Sequence, residues 1–311
     1  MLQEVANNGF RWINVVRPTK VEMNALGQEF HFHELNLDDC LSKIQIPKID
    51  RYEDHVFIIL HFPTVGQDKF PKSAQLAAFI GHNYIVTVHQ GELRPLVDLF
   101  EQCKQSDKAR QEFMGRSAGH LFYSMVDILT DELLNIVRKI VGNIEDIEEI
   151  VFDEQADAAN EISYIRREVT LLRRIVIPLR RTLAEVTTRD IKRFSDQDLT
   201  LYFDDVNDHM DKVIETIDES KETIEIYKDT DFMHATGRSN KILAMLTIIF
   251  TLSMPVTIMS ALYGMNVNLP VLSEEGDQAF LGQYGTFVVI VAGSTAAAGV
   301  MLAYFHKVGW I

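Results

Sequence analysis

Two stretches of this 311-residue chain contain no Asp, Glu, Lys or Arg: residues 242–273 and residues 278–306. Charged residues make up 24% of the whole, so nearly all of them crowd into the positions before 242. Cysteine is scarce as well. The two that occur, Cys40 and Cys103, have no metal-ligand or redox spacing, which excludes a disulfide framework and fits a reducing compartment. No G-x-x-x-x-G-K-[ST] phosphate cradle is present, so nothing marks an ATP-driven pump. H-E-x-x-H is absent too, and with no catalytic constellation apparent an enzyme is the least supported class. The opening "MLQEVANNGFRWINVVRPTK" lacks a continuous apolar core and does not read as a secretory signal. Basic residues are in deficit: the formal net charge of -15 argues against a nucleic-acid partner.

The charge-free stretches are where the chain is most distinctive. "ILAMLTIIFTLSMPVTIMSAL", Ile242 to Leu262, would rise about 31 Å as a helix, close to the thickness of a bilayer's hydrocarbon layer. "YGTFVVIVAGSTAAAGVMLAYF", Tyr284 to Phe305, offers a second span, and its Gly293, Ala296, Ala297, Ala298 and Gly299 suit close helix packing. Two spans return both chain ends to one side. Arg238 and Lys241 precede the first and Lys307 follows the second, whereas the loop between carries Glu274, Glu275 and Asp277 and no base. The positive-inside rule therefore places both termini in the cytoplasm of a multi-pass protein of the cell membrane, with the acidic loop outside. One copy with two helices cannot enclose a polar path, so any pore requires oligomerisation.

The remainder divides in two. Residues 1–120 read as a cytoplasmic α/β domain: "HVFIILHF" (His55 to Phe62) is a buried strand, and "LAAFIGHNYIVTVHQ" (Leu76 to Gln90) is a hairpin about Gly81-His82-Asn83. Residues 121–241 read as a helical bundle and stalk. Only Gly142 and Pro178 interrupt Leu121 to Thr236, and "LLNIVRKIVGNIEDIEEIVFDE" (Leu133 to Glu154) has helical spacing. A helix running from Asp196 to Leu262 would extend roughly 100 Å, either as a rigid stalk or as a lever carrying a bend to the membrane. "HFHEL" (His31 to Leu35) is read as a surface strand, with a histidine metal pair as its alternative. On the first span Asn240, Leu243, Thr247, Met254, Thr257 and Ala261 fall within a sector of roughly 100°, suited to lining a pore or to helix packing.

A helix closing on "MPVTIMSALYGMN", an acidic loop and a second terminal span together resemble the CorA family of magnesium transporters. "LNLDDCLSKIQIPKIDRYEDHVFIIL" (Leu35 to Leu60), "FIGHNYIVTVHQ" (Phe79 to Gln90) and "YFDDVNDH" (Tyr202 to His209) agree in order and spacing, so the resemblance covers nearly the whole chain. It implies an α+β membrane protein and a homopentamer. Each copy would supply a cytoplasmic α/β domain, a long helical stalk that becomes the pore-lining span (242–262), an outer loop (263–283), a second transmembrane helix (284–305) and a short cytoplasmic end (306–311). Tyr263, Gly264, Met265 and Asn266 would form the ion-selective mouth. Asn240, Leu243, Leu246, Met254 and Thr257 would line the path and its gate. Asp39, Asp205 and Asp229 would sense intracellular Mg²⁺ between copies. No resident cofactor is implied; Mg²⁺ is both substrate and regulatory ligand, and the partners are the lipid bilayer, divalent cations and further copies of the chain.

The chemistry of Mg²⁺ suits an uncharged mouth. The ion is small and gives up its octahedral water shell reluctantly, so a ring of carboxamide oxygens can accept hydrogen bonds from that shell, whereas a ring of carboxylates would hold the dication and slow its release. Two charges moving through an inside-negative potential of about 100 mV release about 4.6 kcal/mol, so uptake needs no fuel. The sequence departs from the family in two ways: only His306 and Lys307 stand where a lysine cluster is common, and no acid follows Asn266 before Glu274. Cobalt and nickel are further candidate ions. A zinc transporter of the same superfamily and a non-conducting membrane-anchored scaffold or sensor are the alternatives.

Overall fold

The computed structural model describes residues 1–42, 45–66, 70–186, 191–195, 198–265 and 285–309. The chain separates into two units, Met1–Asp231 and Phe232–Ile311.

The first unit is built on six strands: β1 (Leu2–Asn7), β2 (Phe10–Val16), β3 (Lys48–Arg51), β4 (His55–Val65), β5 (Pro71–Gly81) and β6 (Tyr84–His89). They lie in the order β1-β2-β6-β5-β4-β3, antiparallel throughout except where β2 runs parallel to β6. The run at His55–Phe62 is continuously apolar because β4 is covered on both faces. Val56, Ile58, Leu60 and Phe62 join one core, and Phe57 and Ile59 the other, as the two-residue period of a strand requires. Two-residue turns make the β1–β2 and β5–β6 hairpins. Asn8 and Gly9 connect β1 to β2 with φ of 48° and 86°, the left-handed pair of a type I′ turn. His82 and Asn83 connect β5 to β6, as read from the sequence.

Helices α1 (Lys20–Phe30) and α2 (Glu34–Leu41) cover one face through Met23, Leu26, Leu37 and Cys40. Gly27 lets them meet: a Cβ there would stand 2.5 Å from a methyl of Leu37. The surface strand read at His31–Leu35 is not there. His31 takes the left-handed cap of α1 (φ 58°), and His33 caps α2, its Nδ1 accepting the Leu35 N–H at 3.2 Å. Phe32 between them is buried and stacks on Phe79 with ring centroids 3.9 Å apart. Burying that ring outweighs the period-two pattern, and with both histidines at caps the metal-pair reading goes too.

On the opposite face lie α3 (Arg94–Gln105), α4 (Asp107–Met114), α5 (Ala118–Asp146), α6 (Glu148–Phe152), α7 (Ala159–Val186) and the first part of α8 (Thr200–Tyr263). The breaks differ from those read in the sequence. Gly142 lies inside α5 and Pro178 inside α7 without ending either helix. The chain breaks instead around Asp153–Ala158, where Asp153 and Asp157 turn their carboxylates onto the Gln155 and Ala159 amides at 2.8 and 3.2 Å and so offer the backbone a competing partner. Similarly, α8 begins at Thr200 rather than Asp196, because Asp198 accepts the Thr200 N–H at 3.1 Å.

Both α7 and the first part of α8 carry heptads. Ile162, Ile165, Val169, Leu172, Val176, Leu179, Leu183 and Val186 alternate at three- and four-residue steps, and so do Phe203, Val206, Met210, Val213 and Ile217. Outside this seam Arg166, Arg173 and Arg180, each seven residues on, pair with Glu225, Asp218 and Asp211, each seven residues back. The ladder fixes an antiparallel register; each exposed rung adds little stability by itself.

The second unit holds the rest of α8 and α9 (Gly285–Val308). Both helices are long and apolar enough to cross a membrane, and none of the most apolar 18-residue window of α8 is buried. Ile242, Phe250, Met254, Phe287 and Val300 are all exposed, the reverse of the first unit. The small residues of α9 have no close neighbour at Gly293 or Gly299, where an added Cβ would meet nothing within 4 Å among the described residues.

Candidate functional site

Asn240, Leu243, Leu246, Met254 and Thr257 all stand exposed on α8. The hydroxyls along this stretch are oriented by the helix itself. Thr247 donates to the Leu243 carbonyl at 2.8 Å, Ser253 to Phe250 at 2.9 Å and Thr257 to Ser253 at 2.9 Å. Each proton is thereby used internally, which makes the hydroxyl tolerable beside hydrocarbon, and what remains facing outward is an oxygen lone pair. The stretch thus presents acceptors without charge. Pro255, within α8, has no N–H to give the Thr251 carbonyl, which adds one more free acceptor.

At its end α8 tightens. The Gly264 N–H reaches the Ser260 carbonyl at 2.9 Å, and the Met265 N–H reaches Leu262 at 3.3 Å. A Cβ at Gly264 would sit 3.0 Å from the Ser260 oxygen, so this last turn has room for glycine and little more. Met265 is 56% exposed. Asn266 and the acids Glu274, Glu275 and Asp277 lie outside the described residues, as does the Tyr263 side chain.

The three candidate sensing carboxylates are not brought together within one chain. On α2, Asp39 is tied to the Lys48 ammonium at 2.6 Å, and Asp50 shares that cation at 2.7 Å. Asp229, on α8, is largely exposed with Lys228 at 3.6 Å. Asp205, also on α8, is exposed and has no hydrogen bond or ion pair among the described residues. No group of three or more His, Cys, Asp or Glu poised to hold a metal occurs among the described residues.

What Asp205 does have is acidic company that sequence motifs did not disclose. Asp127 of α5 is half-buried, and burial pushes its carboxyl above the ordinary range. The Asp131 charge, one helical turn on, pushes it further, and so does Asp205; the Tyr123 hydroxyl and His209 act the other way. Burial, and then the Asp127 and Asp205 charges, push the Tyr123 phenol up to about 12. A carboxyl that holds a proton reluctantly given up is one that a dication can discharge instead. Its signal in the sequence was an acid inside an apolar helical run, "YSMVDILTDEL". The thiols offer no alternative metal chemistry: both are buried, and burial raises Cys103 to about 11 and Cys40 likewise upward, away from the thiolate form.

Comparison with known proteins gives a consistent result. Residues 7–307 match the family model described as CorA-like Mg²⁺ transporter protein. The cobalt/magnesium transport protein CorA of Thermotoga maritima is 26% identical over 96% of this chain and 83% of its own length. The zinc transport protein ZntB of Photorhabdus laumondii is 22% identical over 79% and 72%. Among solved structures, that of the CorA magnesium transporter from Methanocaldococcus jannaschii superposes with a TM-score of 0.83 at 18% identity, covering 100% of this chain and 95% of the other.

Proposed function

Since the chain belongs to the CorA-like Mg²⁺ transporter family and is a divalent-cation transporter rather than an enzyme, we propose that it is a homopentameric Mg²⁺ channel closed by Mg²⁺ from inside. The observation that carries this reading is the character of α8 beyond residue 241: charge-free, exposed, and lined with hydroxyls whose protons are already spent. Five such helices around an axis would offer a hydrated dication acceptors for its water shell without a fixed charge to trap it. Leu243, Leu246 and Met254 would form apolar constrictions, with Asn240 at the cytoplasmic end and Thr257 nearer the outside.

Five Asn266 carboxamides would ring the outer mouth, set there by the tight turn at Gly264 and Met265. The acidic loop would raise the local cation concentration, and the membrane potential would drive uptake. Both termini are assigned to the cytoplasm on the positive-inside rule. For closure we assign Asp205 first, because it has no ion pair among the described residues and its charge acts on the half-buried Asp127. Asp39 must release Lys48 before it can meet an ion, and Asp229 is largely exposed beside Lys228. Mg²⁺ bound between copies would relieve the carboxylate repulsion and hold the closed state.

Hard-oxygen chemistry favours Mg²⁺, with Co²⁺ and Ni²⁺ as secondary ions, over Zn²⁺, since both thiols are buried in the first unit. Influx into liposomes tests the mouth. Asn266→Ala is expected to abolish Mg²⁺ influx while the assembly keeps its size on gel filtration; undiminished influx removes Asn266 from selectivity.

A further inference from the structure

Because β2 and β6 are parallel neighbours, paired from Arg11 with Tyr84, the turns that precede them lie at the same end of the sheet. The Arg11 N–H donates to the Asn83 carbonyl at 2.9 Å and joins the two turns. The start of α5 and the short 3₁₀ turn Ile191–Phe194 reach the same place, where His82 lies against the Phe194 ring at 5.1 Å and the Ser117 hydroxyl donates to that of Ser195 at 3.2 Å. Between them is a cavity of about 340 Å³ lined by Asn8, His82, Arg116, Ser117 and Arg193, among others, with no Asp or Glu among the described lining residues. In a chain whose 45 acids outnumber its 30 bases, two guanidiniums and no carboxylate among the described lining residues run against the average.

The two arginines are held differently. Arg193 is fixed, its Nη1 and Nη2 donating to the Tyr52 and Glu53 carbonyls at 3.2 and 2.6 Å, yet a guanidinium has five donors and several remain. Arg116 is exposed and makes no hydrogen bond or ion pair among the described residues. The α5 amides just beyond the Ser117 cap add the positive end of a 29-residue helix. A cation is repelled by such a lining. A carboxylate needs only one guanidinium, whereas a phosphate group can take a fork from each.

We propose that this cavity binds a phosphate-bearing small molecule, with Arg116 and Arg193 clamping the phosphate oxygens and the Asn8 side-chain amide completing the donor set. The site uses no residue of the ion path. Free pyrophosphate and a phospholipid headgroup share the chemistry, so the test has two arms. The full chain in neutral-lipid nanodiscs, free of divalent cations, is titrated calorimetrically with sodium pyrophosphate; separately, its binding to phosphatidic acid vesicles is measured. Arg116→Gln, which removes no hydrogen bond or ion pair among the described residues, and Arg138→Gln, elsewhere on α5, are run in parallel. Saturable binding weakened about tenfold or more by Arg116→Gln and unchanged by Arg138→Gln is expected in one arm, and that arm names the source. No saturable binding in either arm, or equal affinity in the Arg116→Gln chain, overturns the site.

Discussion

His89 should make the first unit sensitive to acid, and the size of the effect follows from its surroundings. It is 2% exposed, at the end of β6. The Gly91 N–H donates to its Nδ1 at 3.0 Å, so that nitrogen is the acceptor and Nε2 carries the proton, which it gives to the Asn14 Oδ1 at 3.0 Å. The same oxygen accepts from Thr87 at 2.8 Å, and the Thr87 hydroxyl accepts the Trp12 indole N–H at 3.0 Å. A second proton on the ring would point at the Gly91 N–H. Burial pushes the imidazole down from 6.5 to about 4. A histidine depressed in the folded state contributes its stability fully above the unfolded value, and loses it as pH falls from there toward the folded one. Across that window the most it can remove is about 3.4 kcal/mol, and at about pH 5 the loss is about 2 kcal/mol. His61 and His120 are also pushed down by burial, so the comparison must be between two proteins rather than two pH values. Urea unfolding of the full chain in detergent, followed by the fluorescence of buried Trp12, at about pH 7.5 and about pH 5, supplies it. The native chain is expected to lose about 2 kcal/mol more than His89→Gln between the two. Parallel losses would show that His89 is not held neutral and would refute the reasoning.

Other expectations concern the transport machinery. Asp205→Asn removes a like charge from Asp127, so the Asp127 carboxyl should titrate lower and protection from limited proteolysis should need more Mg²⁺; an unchanged protection curve counts against Asp205 as a sensor. Gly264→Ala places a methyl 3.0 Å from the Ser260 carbonyl, so it should reduce Mg²⁺ influx, while Gly299→Ala, which meets nothing within 4 Å among the described residues, should leave it near native. Equal influx from the two variants would mean that the tight turn has no part in forming the mouth.

Much of this architecture was legible because single physical rules dominated. The continuous apolar run at β4 and the hairpin at His82-Asn83 follow from burial on both faces and from turn chemistry. The charge-free helices follow from the cost of charge in hydrocarbon. Where two rules compete, the sequence was read wrongly. Gly142 and Pro178 look like breaks, yet the heptad core carries both helices through them; Asp153 and Asp157 look like ordinary surface acids, yet their local hydrogen bonds end the helices. His31 and His33 alternate like a strand because Phe32 between them is buried, although both are caps. Asp127 and the arginine-lined cavity were invisible for another reason. Each depends on segments far apart in the chain, α5 against α8 in one case and two turns with a helix start in the other, and no local pattern records such a meeting.

The central claim is that Mg²⁺ passes through this protein down its electrical gradient. Purified chain in liposomes, with internal dyes for Mg²⁺ and Zn²⁺ and an imposed potassium diffusion potential, measures it directly. Mg²⁺ influx that rises with an inside-negative potential, needs no proton gradient and falls when internal Mg²⁺ is high is the result expected. Zn²⁺ influx that follows a proton gradient, with no Mg²⁺ influx at any potential, would contradict it.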